Sequence, residues 1–234
     1  MLMSSLAMDA MYFHAALNAL SEADKYTRHI DGAKKDTTLL QRKIDALSRS
    51  LDGKEDDKII FRNYSKLEPL YIQMEGAEYR LGEAYGPMLQ KLATLHILCA
   101  AAAEAHINIQ GQARLHGREW TAFERLSVDA KWLFLPKLLS LAGFDPGKQP
   151  FQGFSSLLHI RNRLVHFHIH KELWRPPGVP DFLTGLGFSF EAAKQSLDAV
   201  KGMVAELAHQ LHQDPPGWLT YDSQGSFFDI TFEE

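Results

Sequence analysis

Leu157-Leu158-His159-Ile160-Arg161-Asn162-Arg163-Leu164-Val165-His166-Phe167-His168-Ile169-His170 has the most unusual local composition in the chain. Four of the eleven histidines fall here, beside Arg161, Arg163, Lys171 and Arg175, with only Glu172 opposing them. On an α-helix of about 100° per residue, with Leu157 at the origin, Leu158, Ile160, Leu164, Val165 and Phe167 gather on one side. That apolar arc predicts a core-facing helix from Phe151 to about His170. His159, Asn162, Arg163, His166 and His170 point the other way, and Asn162 and His166 become neighbours one turn apart. Arg161 breaks the pattern, falling at about 40°, inside the apolar arc. A buried guanidinium left uncompensated costs about 3–5 kcal/mol. The wheel therefore predicts either a carboxylate such as Glu104 or Glu124 against Arg161, or a face that opens into a cleft.

Outward from this stretch, helical periodicity dominates and two-residue alternation is nearly absent. Gly86-Pro87 is expected to restart the chain, and Leu92, Leu95, Cys99, Ala102, Ala103 and Ile107 mark the buried face of a helix from Pro87 to about Ala113. Earlier, Leu40, Ile44, Leu47 and Leu51 form one narrow stripe on a helix that Asp52-Gly53 ends, so the first section reads as a helical hairpin. Lys54-Glu55-Asp56-Asp57-Lys58 reads as a solvated loop. A short helix is expected from Trp120 to Leu126. Ser127 then caps a segment with Asp129 at its positive end, which Pro136 kinks or splits and Gly143 stops. Beyond the proline-rich stretch Arg175 to Pro180, Ser189 caps a last helix with Ala193, Leu197, Val200, Val204, Leu207 and Leu211 as its buried stripe. The tail segment Phe227 to Phe232 is the one convincing strand candidate. The predicted fold is all-α: a helical bundle over 86–213, a helical N-terminal extension over 1–85, and a short irregular C-terminal tail over 214–234.

The 234 residues, 45% hydrophobic, suffice to bury a core without disulfide or metal staples, so size demands no cofactor. With 25 Lys and Arg against 29 Asp and Glu, a net charge of −4 excludes a broadly basic nucleic-acid coat. Any RNA contact must be local. The one cysteine, Cys99, reads as a small buried hydrophobe. The longest apolar stretch, Leu92 to Ala105, is interrupted by Thr94, His96 and Glu104 and is short for a membrane span, while the N-terminus lacks the basic flank of a secretory signal. A cytoplasmic location away from membranes is the expectation. His166, His168 and His170 would share one face of a strand, but on a helix successive members lie about 200° apart and no acidic pair completes the set. No metal is expected there. Phosphate-loop, dinucleotide-binding, metalloprotease and nucleophile-elbow signatures are missing.

Arg161-Asn162-Arg163-Leu164-Val165-His166 fits the pattern arginine, polar residue, three residues, histidine. It resembles the motif of the HEPN superfamily, the higher-eukaryote and prokaryote nucleotide-binding helical domains. The resemblance covers roughly Pro87 to Gln213 and includes the upstream helix carrying Glu104-Ala105-His106-Ile107-Asn108. It implies a HEPN-type bundle that dimerises with its two motif helices side by side, takes RNA as substrate and cleaves it without metal or cofactor. By the same resemblance Arg161 and His166 are the catalytic pair and Asn162 supports them. Arg163, His159, His170 and Lys171 around them are the candidate substrate-binding groups. The implied function is a metal-independent endoribonuclease, a toxin or defence component with an inhibitor protein as a further partner. The alternative is a non-catalytic helical module that binds RNA, a nucleotide or a partner protein.

Elementary chemistry supports such a pairing of residue types. Metal-independent RNA cleavage uses the 2′-hydroxyl as internal nucleophile and needs a proton carrier near neutrality and a cation for the developing phosphorane charge. Histidine suits the first role and an arginine fork the second. Arg161 and His166 lie about 140° apart on a straight helix. One site therefore requires long side chains, a distorted helix end, or donation from two subunits about a two-fold axis.

Overall fold

Two of the helices are far longer than the sequence pattern suggests. The structure, a computed structural model, describes residues 2–50, 57–166, 188–219 and 228–232, with side chains over 6–50, 65–166 and 188–219. Helix α1 spans Met8–Arg49 and α2 spans Asp57–Gln112. The restart expected at Gly86-Pro87 does not occur, because Pro69 and Pro87 both lie inside α2. A helix-interior proline costs about 3 kcal/mol through one lost hydrogen bond and a ring clash. Here Leu81, Ala84 and Tyr85 before Pro87, and Leu92 and Leu95 after it, are all buried. Fully burying one such side chain is worth about 1.5–3 kcal/mol, so several together outweigh the proline. Asp57 and Lys58, expected in a solvated loop, are the first residues of α2.

The remaining helices are α3 (Gly117–Glu124), α4 (Val128–Leu138), α5 (Phe151–Val165) and α6 (Phe190–Gln210). Ser189 caps α6 as expected, its side chain accepting from the Ala192 N–H at 3.0 Å. Ser127 occupies the cap position of α4 with extended backbone, but its hydroxyl makes no cap bond. Pro136 lies within α4 without splitting it, and the chain leaves the helix through Ser140 and Gly143, both at positive φ. Gln210 fixes that exit, accepting from the Gly143 N–H at 2.9 Å and donating to its carbonyl at 3.1 Å. The fold is all-α. Among the described residues the only strands are β1 (Leu2–Leu6) and β2 (Phe228–Phe232), paired antiparallel with Leu2 opposite Phe232 and Leu6 opposite Phe228. The strand expected in the tail is thus present, and its N-terminal partner carried no alternating signal.

By contacts the chain forms two units, and their division runs through α1 and α2. Among the described residues the first unit comprises 2–20, 92–166, 188–219 and 228–232, and the second comprises 21–50 and 57–91. The first is built around Trp132, fully buried, with Phe144 and Phe154 meeting its ring edge-on at centroid distances of 5.7 and 5.8 Å. Helix α6 lies close against the start of α5: a Cβ at Gly202 would come within 2.8 Å of Pro150 Cβ, so only glycine fits there. The second unit has a leaner core of Ile30 and Ala33 from α1 against Leu81, Ala84 and Tyr85 from α2. Ion pairs Arg80 to Asp36 and Lys91 to Glu22 join its two helices at the surface.

Candidate functional site

Helix α5 is anchored at its start and open at its end. Phe151, Phe154 and Leu157 are buried, which aims one face of the helix at the Trp132 cluster. Burial then fades along the helix: Leu158, Ile160 and Leu164 are half-buried, and Val165, placed in the apolar arc by the wheel, is 52% exposed. The helix stops at Val165, with His166 as its C-terminal cap. Residues 167–170, over which the helix was expected to continue, lie outside the described residues.

Arg161 is half-buried, as its position on the wheel requires. Of the two outcomes the wheel allowed, the face opens into a cleft. Arg161 and Asn162 line a cavity of about 330 Å³ together with Ile97, Ala100, Ala101 and Glu104 of α2, Leu158 of α5, and residues 126–129 at the start of α4. Arg161 Nη1 donates to Asn162 Oδ1 at 2.9 Å. Among the described residues it forms no ion pair. Glu104 borders the same cleft, and its carboxylate lies 3.9 Å from the ammonium of Lys131, a side chain only 4% exposed. Glu124, the other candidate counter-ion, is exposed on α3. Asn162 and His166 are one turn apart, the His166 N–H donating to the Asn162 carbonyl at 2.9 Å.

The sequence-predicted site is therefore brought together in part. Arg161 and Asn162 share a cleft, whereas His166, exposed at the helix end, is not among the residues that line it. His159 and Arg163 are exposed on α5. His170 and Lys171 lie outside the described residues, as do His168 and Trp174. Trp132 is core and Trp120 half-buried against Phe123, both as structural side chains. Cys99 is fully buried, and that burial pushes its thiol up, away from the reactive thiolate.

Two further histidines, both on α2, are buried. His106 Nδ1 sits 2.8 Å from Asp9 Oδ2 with both side chains buried, and its ring stacks on Trp132 at 6.2 Å. The partner is 97 residues away in sequence, so no local pattern could announce it. His96 is fully buried, shares a 2.9 Å hydrogen bond through Nδ1 with Ser196 Oγ of α6, and has no partner for Nε2 among the described residues. Burial lowers its pKa to about 4, so it is neutral at physiological pH. One stretch of α2, Ser65–Gln112, is long and apolar enough to cross a membrane by length and composition, and half of its most apolar window is buried inside the fold.

Comparison of the chain with family models, with curated proteins and with solved structures finds no match in any of the three.

Proposed function

We propose that the chain is a metal-independent endoribonuclease of HEPN type, with Arg161, Asn162 and His166 as its catalytic set. The observation that carries this reading is Arg161 itself: a guanidinium rooted in the apolar arc of α5, turned to a cleft, with Asn162 as its partner and no counter-ion among the described residues. An uncompensated cation in such a place is costly for stability and useful for binding an anion. In the reaction a base removes the 2′-hydroxyl proton and the 2′-oxygen forms a bond to phosphorus. The bond from phosphorus to the 5′-oxygen breaks, and that oxygen takes up a proton. The products are a 2′,3′-cyclic phosphate and a 5′-hydroxyl. Arg161 neutralises the added charge on the phosphorane, His166 moves the proton, and Asn162 holds the guanidinium in its working orientation.

His166 and the Arg161 cleft are separated on one chain, which favours a homodimer through α5 in which two motif copies complete one another. Val165 at 52% exposure supplies apolar surface for such a contact. RNA reaches the site through the local basic group His159, Arg163, His170 and Lys171 rather than through a general positive field, since the chain carries a net −4. An enzyme of this kind calls for restraint in the cell, so a toxin or defence role with an inhibitor protein is part of the proposal, as is a cytoplasmic site of action. The test is incubation of purified protein with mixed RNA in excess chelator, comparing wild type with Arg161→Ala and His166→Ala. Chelator-resistant cutting that leaves cyclic phosphate ends and drops at least about 100-fold in each variant is the expected result. If RNA survives with wild type, the enzyme reading falls and a non-catalytic module binding RNA, a nucleotide or a partner protein replaces it.

A further inference from the structure

The cleft beside Arg161 offers more chemistry than a phosphate alone requires. Its floor is apolar, formed by Ile97, Ala100 and Ala101 of α2 and Leu158 of α5, and its volume of about 330 Å³ is that of a small-ligand site. A slot of this kind suits a flat heteroaromatic ring, whose faces gain van der Waals contact there. The rim is of mixed sign. Arg161 and Asn162 stand on the α5 side, Glu104 on α2, and Asp129 on the first turn of α4. Because Asn162 Oδ1 is occupied by the guanidinium, the rest of its amide offers donors. An ionised carboxylate, by contrast, only accepts. Glu104 remains 41% exposed while the buried ammonium of Lys131, 3.9 Å away, holds it in place by charge attraction.

We infer that this cleft is a base-selecting subsite for guanine, with Glu104 as the specificity-determining residue; the inference rests on the nuclease reading for its substrate, single-stranded RNA. Guanine is the RNA base that places two adjacent donors, N1–H and the N2 amino group, on its Watson–Crick edge, matching the two oxygens of one carboxylate. Adenine and cytosine set an acceptor ring nitrogen beside their amino group, and uracil flanks its single N–H with two carbonyls. Each of those three turns a lone pair toward Glu104, a repulsive contact in a partly dry cleft. The phosphate of the same nucleotide takes the Arg161 and Asn162 side, since Glu104 and Asp129 repel it from the other. Base and phosphate of one guanosine thus meet the two signs of one rim.

The experiment has two arms on the full chain in excess chelator. In the first, a random-sequence single-stranded RNA pool is cut and the new ends sequenced; in the second, calorimetry measures binding of the four nucleoside 3′-monophosphates. Wild type should cut beside guanine, and bind guanosine 3′-monophosphate, at least about tenfold in preference to the other three. Glu104→Gln, which turns one acceptor into a donor on a partly exposed side chain, should bring both ratios below about threefold. Ala101→Phe, which fills the floor, should weaken all four nucleotides together. Base-indifferent cutting with equal nucleotide binding overturns the subsite and leaves the nuclease reading standing. Intact RNA with guanosine selectivity that Glu104→Gln removes overturns the nuclease reading and leaves the subsite. An unchanged guanine preference in Glu104→Gln, with thermal unfolding like wild type, overturns the role of Glu104.

Discussion

The histidines of α2 and those of α5 stand in opposite situations. His96 and His106 are buried, and each has a side-chain partner brought from a distant helix, Ser196 for one and Asp9 for the other. His159 and His166 are exposed, and Arg161 between them pairs, among the described residues, with its neighbouring asparagine. The same residue type thus serves the core in one place and faces solvent in the other. In the first unit's core these two long-range bonds tie α2 to α6 and to α1, and His106 stacks on Trp132. At the end of α5, Arg161 and Asn162 bond to each other at the edge of a cleft, a short-range contact between neighbours that gains little stability.

That contrast predicts a graded series of stability effects. Trp132→Ala removes the largest buried side chain, which His106, Phe144 and Phe154 all meet, and should cost about 3–5 kcal/mol in denaturant unfolding. A loss under about 1 kcal/mol would mean that this cluster does not organise the core.

The next effect depends on pH. His96 titrates near 4 in the fold and near its ordinary 6.5 when unfolded. Above 6.5 it is neutral in both states, and its contribution to stability is fully present. As pH falls through that value the unfolded chain takes up a proton that the folded chain refuses until about 4, so stability declines across this window by on the order of 3 kcal/mol. His96→Gln should flatten that part of the unfolding profile relative to wild type. Parallel profiles for the two proteins would exclude His96 as the source of acid sensitivity.

Asp9→Ala strips His106 of its buried partner and α1 of the carboxylate that accepts from the Ala10 N–H. A loss of about 2 kcal/mol is expected, with Asp9→Asn, which keeps an acceptor, losing less. Equal losses for the two variants would show that charge rather than hydrogen bonding matters at this position. Smallest of all, Arg161→Ala and His166→Ala should each shift unfolding by no more than about 0.5 kcal/mol while abolishing chelator-resistant cleavage. A large destabilisation from either would erase the contrast and recast the motif as structural.

Much of this was legible in local sequence. The Ser189 cap, the stripe from Ala193 to Leu207, the turn-long spacing of Asn162 and His166, and the exposure of His159 and Arg163 follow from 3.6-residue periodicity and capping chemistry. The wheel also placed Arg161 correctly on the apolar side, half-buried. Gly86-Pro87 was misleading because its local signal for a break is real, yet the buried residues on either side outweigh it. Val165 was misplaced because a helical wheel gives only the direction of a side chain, whereas burial depends on what packs against it, and Val165 is 52% exposed.

The sequence by itself determined an all-α chain, the faces of its helices, and an arginine that had to find either a counter-ion or an opening. Tertiary structure decided which. The start of α4 and the Ile97 to Glu104 segment of α2 leave a gap beside Arg161 and bring Glu104 to its edge, while Asp9 meets His106 from the far end of the chain. Periodicity records only which side of a helix is buried. What lies against that side, and whether it closes over a charge or leaves room for a ligand, depends on contacts between residues tens of positions apart, and these no local pattern encodes.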